Sequence, residues 1–441
     1  MEGSAWLIRG GRVVDPVAGI DRIANVVIRD GRIAAIDAED PSLPVLDASG
    51  CIVAPGFVDL HVHLRVPGGE HKETIATGTA AAAAGGFTTI CCMPNTDPAL
   101  DDVEIVRALR EQCRREGVVR VFPVGAITRG RKGEEAVDFV SLAQAGVVGF
   151  SDDGDTTANS AIMRHALEMS RRLNLPIMVH CEDKPLANGA MHEGEVSRRL
   201  GIPGIPAEAE EIIIARDLML ARLTGGWLHV LHVSTGRGVE LVRQFKANGT
   251  RVTAEVTPHH LTMADTWVGG SRALLNVSEP AGADAAPADP NTKVNPPLRT
   301  PTDTLHLLNA LRAGIIDVVA TDHAPHSPAE KEERNFVTAA FGLSGLEFAL
   351  PLMMALVRSG HLTMSEAIHR MSSEPARLLA RGGGTLSPGA RADVVVFDPD
   401  RQWTVTPESL RTKSKNTPLL GMSLRGRVRY TLVDGRVVFH E

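Results

Sequence analysis

Between residues 55 and 325 the chain alternates eight apolar, β-type runs with helical stretches rich in Ala, Leu and Arg. The runs are Phe57–His63, Phe87–Met93, Val119–Val124, Val147–Ser151, Ile177–His180, Leu228–Val233, Val252–Val256 and Ile316–Thr321. Glu73–Ala84 and Ser160–Leu173 are typical of the helical candidates between them. This alternation is the pattern of a parallel α/β fold. Eight such units are what a closed, TIM-like (β/α)8 barrel requires, and active sites in that fold gather at the C-terminal ends of the strands.

The chain ends have a different character. Residues 6–54 read as short strands with turn signals at Asp30-Gly31 and Ser49-Gly50, and the tail is β-rich over Ala392–Phe397 and Arg427–Phe439, with a turn at Asp434-Gly435. The simplest assembly is a small β-sandwich domain built from residues 1–54 and 381–441, flanking a barrel over residues 55–380. Glu279–Pro290 is almost entirely Ala, Pro, Asp and Gly, too broken to pack. It is expected to form a mobile surface loop between the seventh and eighth barrel strands, at the end of the barrel where a lid would sit.

With 43% hydrophobic and 22% charged residues the composition is that of an ordinary globular protein. No basic N-terminal run precedes an apolar stretch, and no apolar segment is long enough to cross a bilayer, so a cytoplasmic protein is expected. A net charge of −7 gives no basic surface for nucleic acid, and an anionic substrate must be held by local cations. The five cysteines, Cys51, Cys91, Cys92, Cys113 and Cys181, form no C-x-x-C pair and are read as buried thiols.

The chemistry concentrates at the strand ends. His61-Val62-His63 closes the first run, and side chains two apart on a strand share a face about 6.6 Å apart, so both imidazoles can converge on one metal. Asp152 and Asp153 follow the fourth run, His180 ends the fifth, His232 lies at the end of the sixth and Asp322 ends the eighth. Unpaired histidines and carboxylates on buried strands are costly, and here they recur at one end of successive strands. Nitrogen and carboxylate ligands without thiolate suit one or two divalent ions, zinc foremost. More candidates are present than one tetrahedral ion takes, which favours two metals bridged by a carboxylate, with Asp153 the candidate. Such a site turns water into hydroxide near neutral pH, and Asp322 is placed to take its proton and pass it to a leaving nitrogen. His229 falls on the opposite strand face and reads as a packing residue; Asp59 shares the face of His61 but sits deeper, where hydrogen bonding suits it better than ligation. His259 and His260, after the seventh run, are left off the metal.

These segments resemble the dihydroorotase family in its bacterial class I branch. The matching stretches are Pro55–Arg65, Met93-Pro94-Asn95-Thr96, Phe150–Gly154, His180-Cys181-Glu182-Asp183, His232–Thr235, Lys293–Arg299, Ala320–His326 and Lys415-Asn416-Thr417-Pro418. The resemblance implies one zinc on His61, His63, Asp153 and Asp322, and a second on Asp153, His180 and His232. It implies that Arg65, Asn95 and His326 grip a substrate carboxylate, and that Asn295 and the backbone near Phe341 and Gly342 hydrogen-bond the ring amides. His63 would line the substrate as well. Hydantoinases and allantoinases usually place a carbamylated lysine on the fourth strand; here Ser151 stands there and Asp153 is offered instead. The sequence departs from the family pattern at Val66, Glu374 and Leu419.

By that resemblance the reaction is the reversible cyclisation of N-carbamoyl-L-aspartate to L-dihydroorotate, a step of pyrimidine synthesis, with Asp322 as general acid/base. The competing readings are another cyclic-amide hydrolase, acting on hydantoin, dihydropyrimidine or allantoin, and a non-catalytic scaffold for aspartate transcarbamoylase. A homodimer, with aspartate transcarbamoylase as a further partner, is the expected assembly.

Overall fold

The computed structural model describes residues 5–275 and 287–441. Five strands come first: β1 (Trp6–Asp15), β2 (Ile20–Arg29), β3 (Arg32–Ile36), β4 (Val45–Asp47) and β5 (Ile52–Pro55). The middle of the chain carries β6 (Phe57–Val62), β7 (Phe87–Cys92), β8 (Arg120–Pro123), β9 (Ile177–Val179), β10 (Met191–His192), β11 (Gly204–Ile205), β12 (Leu228–Val230), β13 (Val252–Val256) and β14 (Val318–Val319). The tail forms β15 (Val394–Thr404), β16 (Ser423–Val433) and β17 (Arg436–His440).

The fold is α/β. In the middle, β6, β7 and β8 pair in parallel, as do β9, β12, β13 and β14. Isolated parallel bridges join the two sets: Phe150 pairs with Gly125 on one side and Ile177 on the other, and Val62 pairs with His323. The circuit of pairings thus returns to β6. Of the expected strand Val147–Ser151, Phe150 forms the bridges on both sides, while Val148 and Ser151 donate their N–H groups to Pro123 O and Gly125 O. The backbone turns there because Asp152 Oδ1 accepts the N–H groups of Ile127 and Thr128, and Ser151 Oγ accepts that of Asp153. The last strand is likewise shorter than Ile316–Thr321. Thr321 N–H donates to the Asp59 carboxylate, and Asp322 takes a left-handed φ of 47° that no strand tolerates.

The helices follow local signals. Thr74 and Thr77 cap each other reciprocally, so the first crossover helix begins at Ile75 and not at Glu73. Ser160–Leu173 forms as the pattern predicts, opened by Asn159, whose side chain accepts from Ala161 and Ile162, and closed by Asn174 at φ 56°.

Strands from both chain ends make one sheet in the order β17-β16-β15-β5-β1-β2-β3, with β4 beside β1. The Asp30-Gly31 and Asp434-Gly435 turns have positive φ at both residues (51° and 72°, 48° and 73°), as two-residue hairpins require. The sheet has its own core, including Trp6, Ile8, Ile28, Val53, Val394 and Leu432. Burying each such large apolar side chain is worth about 1.5–3 kcal/mol. Its two ends come together where Arg32 bridges Arg391 and the Trp6 indole donates to Gly435 O. All five cysteines are buried and unpaired. Most of the stretch Glu279–Pro290 lies outside the described residues; Pro290 opens a short turn through Thr292. Among the described residues no helix is long and apolar enough to cross a membrane.

Candidate metal centre and substrate cavity

β6 delivers His61 and His63 to one point, and the turns after Phe150, β9, β12 and β14 bring in Asp153, His180, His232 and Asp322. Asp153 stands at the middle of the cluster. Its Oδ2 is 3.4 Å from Nε2 of both His61 and His63, and its Oδ1 is 3.7 Å from His180 Nδ1 and 3.6 Å from His232 Nε2. One carboxylate therefore faces two histidine pairs with separate oxygens. Asp322 Oδ1 closes on the first pair, 2.9 Å from His63 Nε2 and 3.5 Å from His61 Nε2.

The donor atoms of His61, His63 and Asp322 lie within 4.8 Å of one another, as do those of His61, Asp153 and His232. His61 Nε2 and Asp153 Oδ1 are buried and have no hydrogen-bond partner. Buried polar atoms left without partners are expensive, and a cation between them removes that cost. The donor set, imidazole nitrogen and carboxylate oxygen, fits a divalent ion of the zinc type.

Three of the four imidazoles are aimed by a partner on the far side; His232 Nδ1 is buried without one. His61 Nδ1 donates to Glu255 Oε1 at 2.7 Å, and His63 Nδ1 donates to Asn95 Oδ1 at 2.8 Å. His180 turns Nε2 toward Asn295 Nδ2 (3.4 Å) and Glu182 Oε2 (3.8 Å). Such outer hydrogen bonds leave the opposite nitrogens free to face the cluster. Glu255 and Glu182 were missed by sequence reasoning. The only signal for Glu255 was a carboxylate inside the apolar strand Val252–Val256. Its burial pushes its pKa up, but the charges of His61 and His229 overcome this and hold it at about 2.

Electrostatics follow the same geometry. Burial alone would depress His61, yet Asp153, Glu255 and Asp322 hold it well above the ordinary histidine value. Burial would raise Asp153 and Asp322, yet the facing histidines hold both below the carboxylate range. Backbone strain accumulates here too: His232 (φ 31°), Asp322 (φ 47°) and Arg65 (φ 61°) all adopt positive φ. Each such residue costs on the order of 1–3 kcal/mol, which the surrounding contacts must overcome.

The remaining candidates separate. Asp152 points away, its Oδ2 accepting from the Thr128 and Thr157 hydroxyls. Asp59 accepts the N–H groups of His61 and Thr321 and so fixes the first and last strands together. His229 bonds Thr253 and the second oxygen of Glu255, 3.1 Å away. His260 sits between Thr257 and Pro296 O, whereas His259 Nε2 is buried without a hydrogen bond.

Above the cluster opens a cavity of about 590 Å³ that Arg65, Asn95, Asn295, His326, Phe341 and Gly342 help to line. Arg65 donates from Nε to Pro325 O and brings Nη2 to 3.3 Å from His326 Nε2. Burial lowers Arg65 to about 10 and, with the Arg65 charge, lowers His326 to about 2, so His326 is neutral. Its Nε2 donates to Phe341 O at 2.8 Å. The Gly342 N–H is taken by Lys293 O, and Gly342 O accepts from Asn416 Nδ2. At this segment a ring N–H can therefore find a carbonyl lone pair, whereas the Gly342 N–H is already used. Arg131, Glu182 and Lys184 also line the cavity, and sequence reasoning did not single out their side chains.

A family model described as Dihydro-orotase-like matches residues 50–237, and one described as Amidohydrolase family matches residues 307–439. The chain is 47% identical over 439 residues to a dihydroorotase of Pelotomaculum thermopropionicum, covering 99% of this chain and 98% of that one. It is 44% identical over 437 residues to a dihydroorotase of Aquifex aeolicus, covering 99% of each. Among solved structures, the L-hydantoinase (dihydropyrimidinase) of Arthrobacter aurescens superposes with a TM-score of 0.83 at 26% identity, over 99% of this chain and 96% of that one. The dihydropyrimidinase of Brevibacillus agri gives 0.82 at 25% identity, over 99% and 95%. With nearly full-length identity of this order and the strand-end constellation intact, the chain belongs to the dihydroorotase family of the amidohydrolases.

Proposed function

We propose that this chain is a zinc-dependent dihydroorotase, interconverting N-carbamoyl-L-aspartate and L-dihydroorotate in pyrimidine synthesis. The observation that carries the reading is the pairing of two features in one cavity. Asp153 divides its oxygens between two histidine pairs, and Arg65 lies at the mouth where a ring carboxylate would dock. Hydantoin and dihydropyrimidine rings lack that carboxylate. In addition, Ser151 occupies the fourth-strand position where hydantoinases carry lysine, and its Oγ instead accepts the Asp153 N–H.

His61, His63, Asp153 and Asp322 would hold one ion, and Asp153, His180 and His232 the other. When bound, a divalent pair supplies Lewis-acid polarisation of the ring carbonyl and acidification of water. The residues of the chain do the rest. Arg65 and Asn95 orient the ring by its carboxylate, joined by His326 when its Nε2–H turns from Phe341 O, and Asn295 and the Phe341-Gly342 backbone meet its amides. Asp322, held as a carboxylate by His61 and His63, accepts the proton of the attacking water. It then hands that proton to the ring nitrogen as the C–N bond breaks.

The scaffold under this reading is a (β/α)8 barrel over residues 55–380, supported by the closed circuit of parallel pairings, with a β-sandwich from residues 1–54 and 381–441. The protein works in the cytoplasm as a homodimer, with aspartate transcarbamoylase as a candidate partner. A substrate panel tests the assignment. L-dihydroorotate should be hydrolysed at least a hundredfold faster, by kcat/KM, than hydantoin or dihydrouracil, since a charge-assisted carboxylate contact is worth about 1.5–3 kcal/mol and two or more are made. Preference for either carboxylate-free ring contradicts it.

A further inference from the structure

We infer that Arg131 is a second carboxylate-binding cation of the substrate cavity, acting beside Arg65 to select rings that carry a carboxylate. The inference rests on the dihydroorotase reading above.

Arg131 lies in the short helical turn Arg129–Arg131, far in sequence from Arg65 and from the strand ends. The fold brings it into the same cavity, with only 16% of its side chain exposed. The bare backbone of Gly154 leaves it room beside Asn95. A Cβ added there would stand 3.3 Å from Asn95 Nδ2 and 3.5 Å from Arg131 Nη2. The two nitrogens thus crowd the same bare backbone, within one side chain's reach of each other. Asn95 meanwhile spends its Oδ1 on His63. The Arg131 charge is also close enough to contribute to the lowering of Arg65, after burial and against the pull of nearby carboxylates.

The guanidinium is not saturated. Nη2 pairs with Asp155 Oδ2 at 2.5 Å, and Nε is buried without a hydrogen-bond partner. That unpaired Nε is closed off from the cavity, so a ligand oxygen engages this guanidinium as it turns from Asp155. Asp155 is 45% exposed and shares its other oxygen with Lys184 at 3.3 Å, so it is a counter-ion that can be kept by lysine when arginine turns to substrate. The backbone is committed to this arrangement: Arg131 holds φ 58° with its N–H on Thr128 O. Strain of this kind persists where the surroundings over-determine it. Two guanidinium groups around one carboxylate also explain how a chain of net charge −7 attracts an anionic substrate.

Steady-state kinetics on Arg131→Gln, Arg131→Lys and Asp155→Asn, each with its metal content measured, tests the assignment. Arg131→Gln should raise KM for L-dihydroorotate about tenfold or more with kcat within a few-fold, and Arg131→Lys should recover much of the loss. Asp155→Asn should leave KM unchanged or lower it, because it releases Arg131 from its counter-ion. An unchanged KM in Arg131→Gln overturns the inference, as does an equal loss in Arg131→Gln and Asp155→Asn, which would mark a merely structural ion pair. Absence of turnover in metal-replete wild-type protein would instead overturn the dihydroorotase reading itself.

Discussion

Glu255 Oε1 lies 2.7 Å from His61 Nδ1, and both side chains are fully buried. The same carboxylate reaches His229 with its other oxygen. A residue of the seventh run thus orients a histidine of the first, so that His61 Nε2 faces Asp153 and Asp322. Glu255→Gln keeps the shape but loses the charge that aims and polarises the imidazole. It should weaken metal affinity about 10- to 100-fold, the usual effect of losing such an outer partner, as measured by competition with a chromogenic chelator. Wild-type affinity in the variant would mean that Glu255 serves packing only.

Asp322 is the group assigned to move the proton. Asp322→Asn keeps the bulk of the side chain and one oxygen toward His63, so the metal should stay largely in place. Turnover should fall by about 10²–10⁴-fold, the range for a general acid–base group. Near-normal kcat together with normal metal content would remove Asp322 from the role.

Arg65 provides a sharper separation of binding from chemistry. Its Nε is anchored by Pro325 O, and among the described residues no hydrogen bond ties it to a residue of the metal cluster. Arg65→Ala should raise KM for L-dihydroorotate about 10- to 100-fold while leaving the metal content unchanged. A loss confined to kcat would contradict its assignment to the carboxylate.

Stability should carry a pH signature from Lys331. This ammonium is fully buried, donates to Lys293 O and Ala340 O at 2.7 Å each, and is lowered by burial and the neighbouring Lys293 charge to about 7. The unfolded chain holds the same proton up to about 10.4. Between those values the unfolded state binds more protons, so this residue makes stability rise with pH; below about 7 both states are charged and the dependence disappears. The Tm of wild-type protein relative to Lys331→Met should therefore grow more favourable from pH 7 to pH 10. Parallel Tm profiles would refute the buried, depressed lysine.

Much of this arrangement was legible in the sequence because polar groups at the ends of apolar strands announce themselves. His61, His63, His180, His232 and Asp322 each interrupt or end an apolar run, and polar groups in such places need a partner. The two hairpin turns were legible for a similar reason, since Asp-Gly at a two-residue turn has few alternatives. What stayed hidden depends on distances between segments remote in sequence. Glu255 could not be matched to His61 without knowing that the first and seventh runs face each other across the interior. Arg131 had no apolar run to mark it. The regular strand pairing of the fourth and eighth runs is shorter than their apolar stretches because side-chain bonds from Asp152, Ser151 and Asp59 take over at their C-terminal ends, which periodicity does not record.

The central claim is that these strand-end ligands hold divalent metal and use it on a carboxylate-bearing cyclic amide. Purified protein should hydrolyse L-dihydroorotate, followed in the ultraviolet, with metal content determined on the same sample. The account predicts that turnover disappears when a chelator strips the metal and returns on adding zinc, in proportion to the metal regained. Turnover that survives complete removal of the metal, or its absence in protein carrying a full complement, would contradict it.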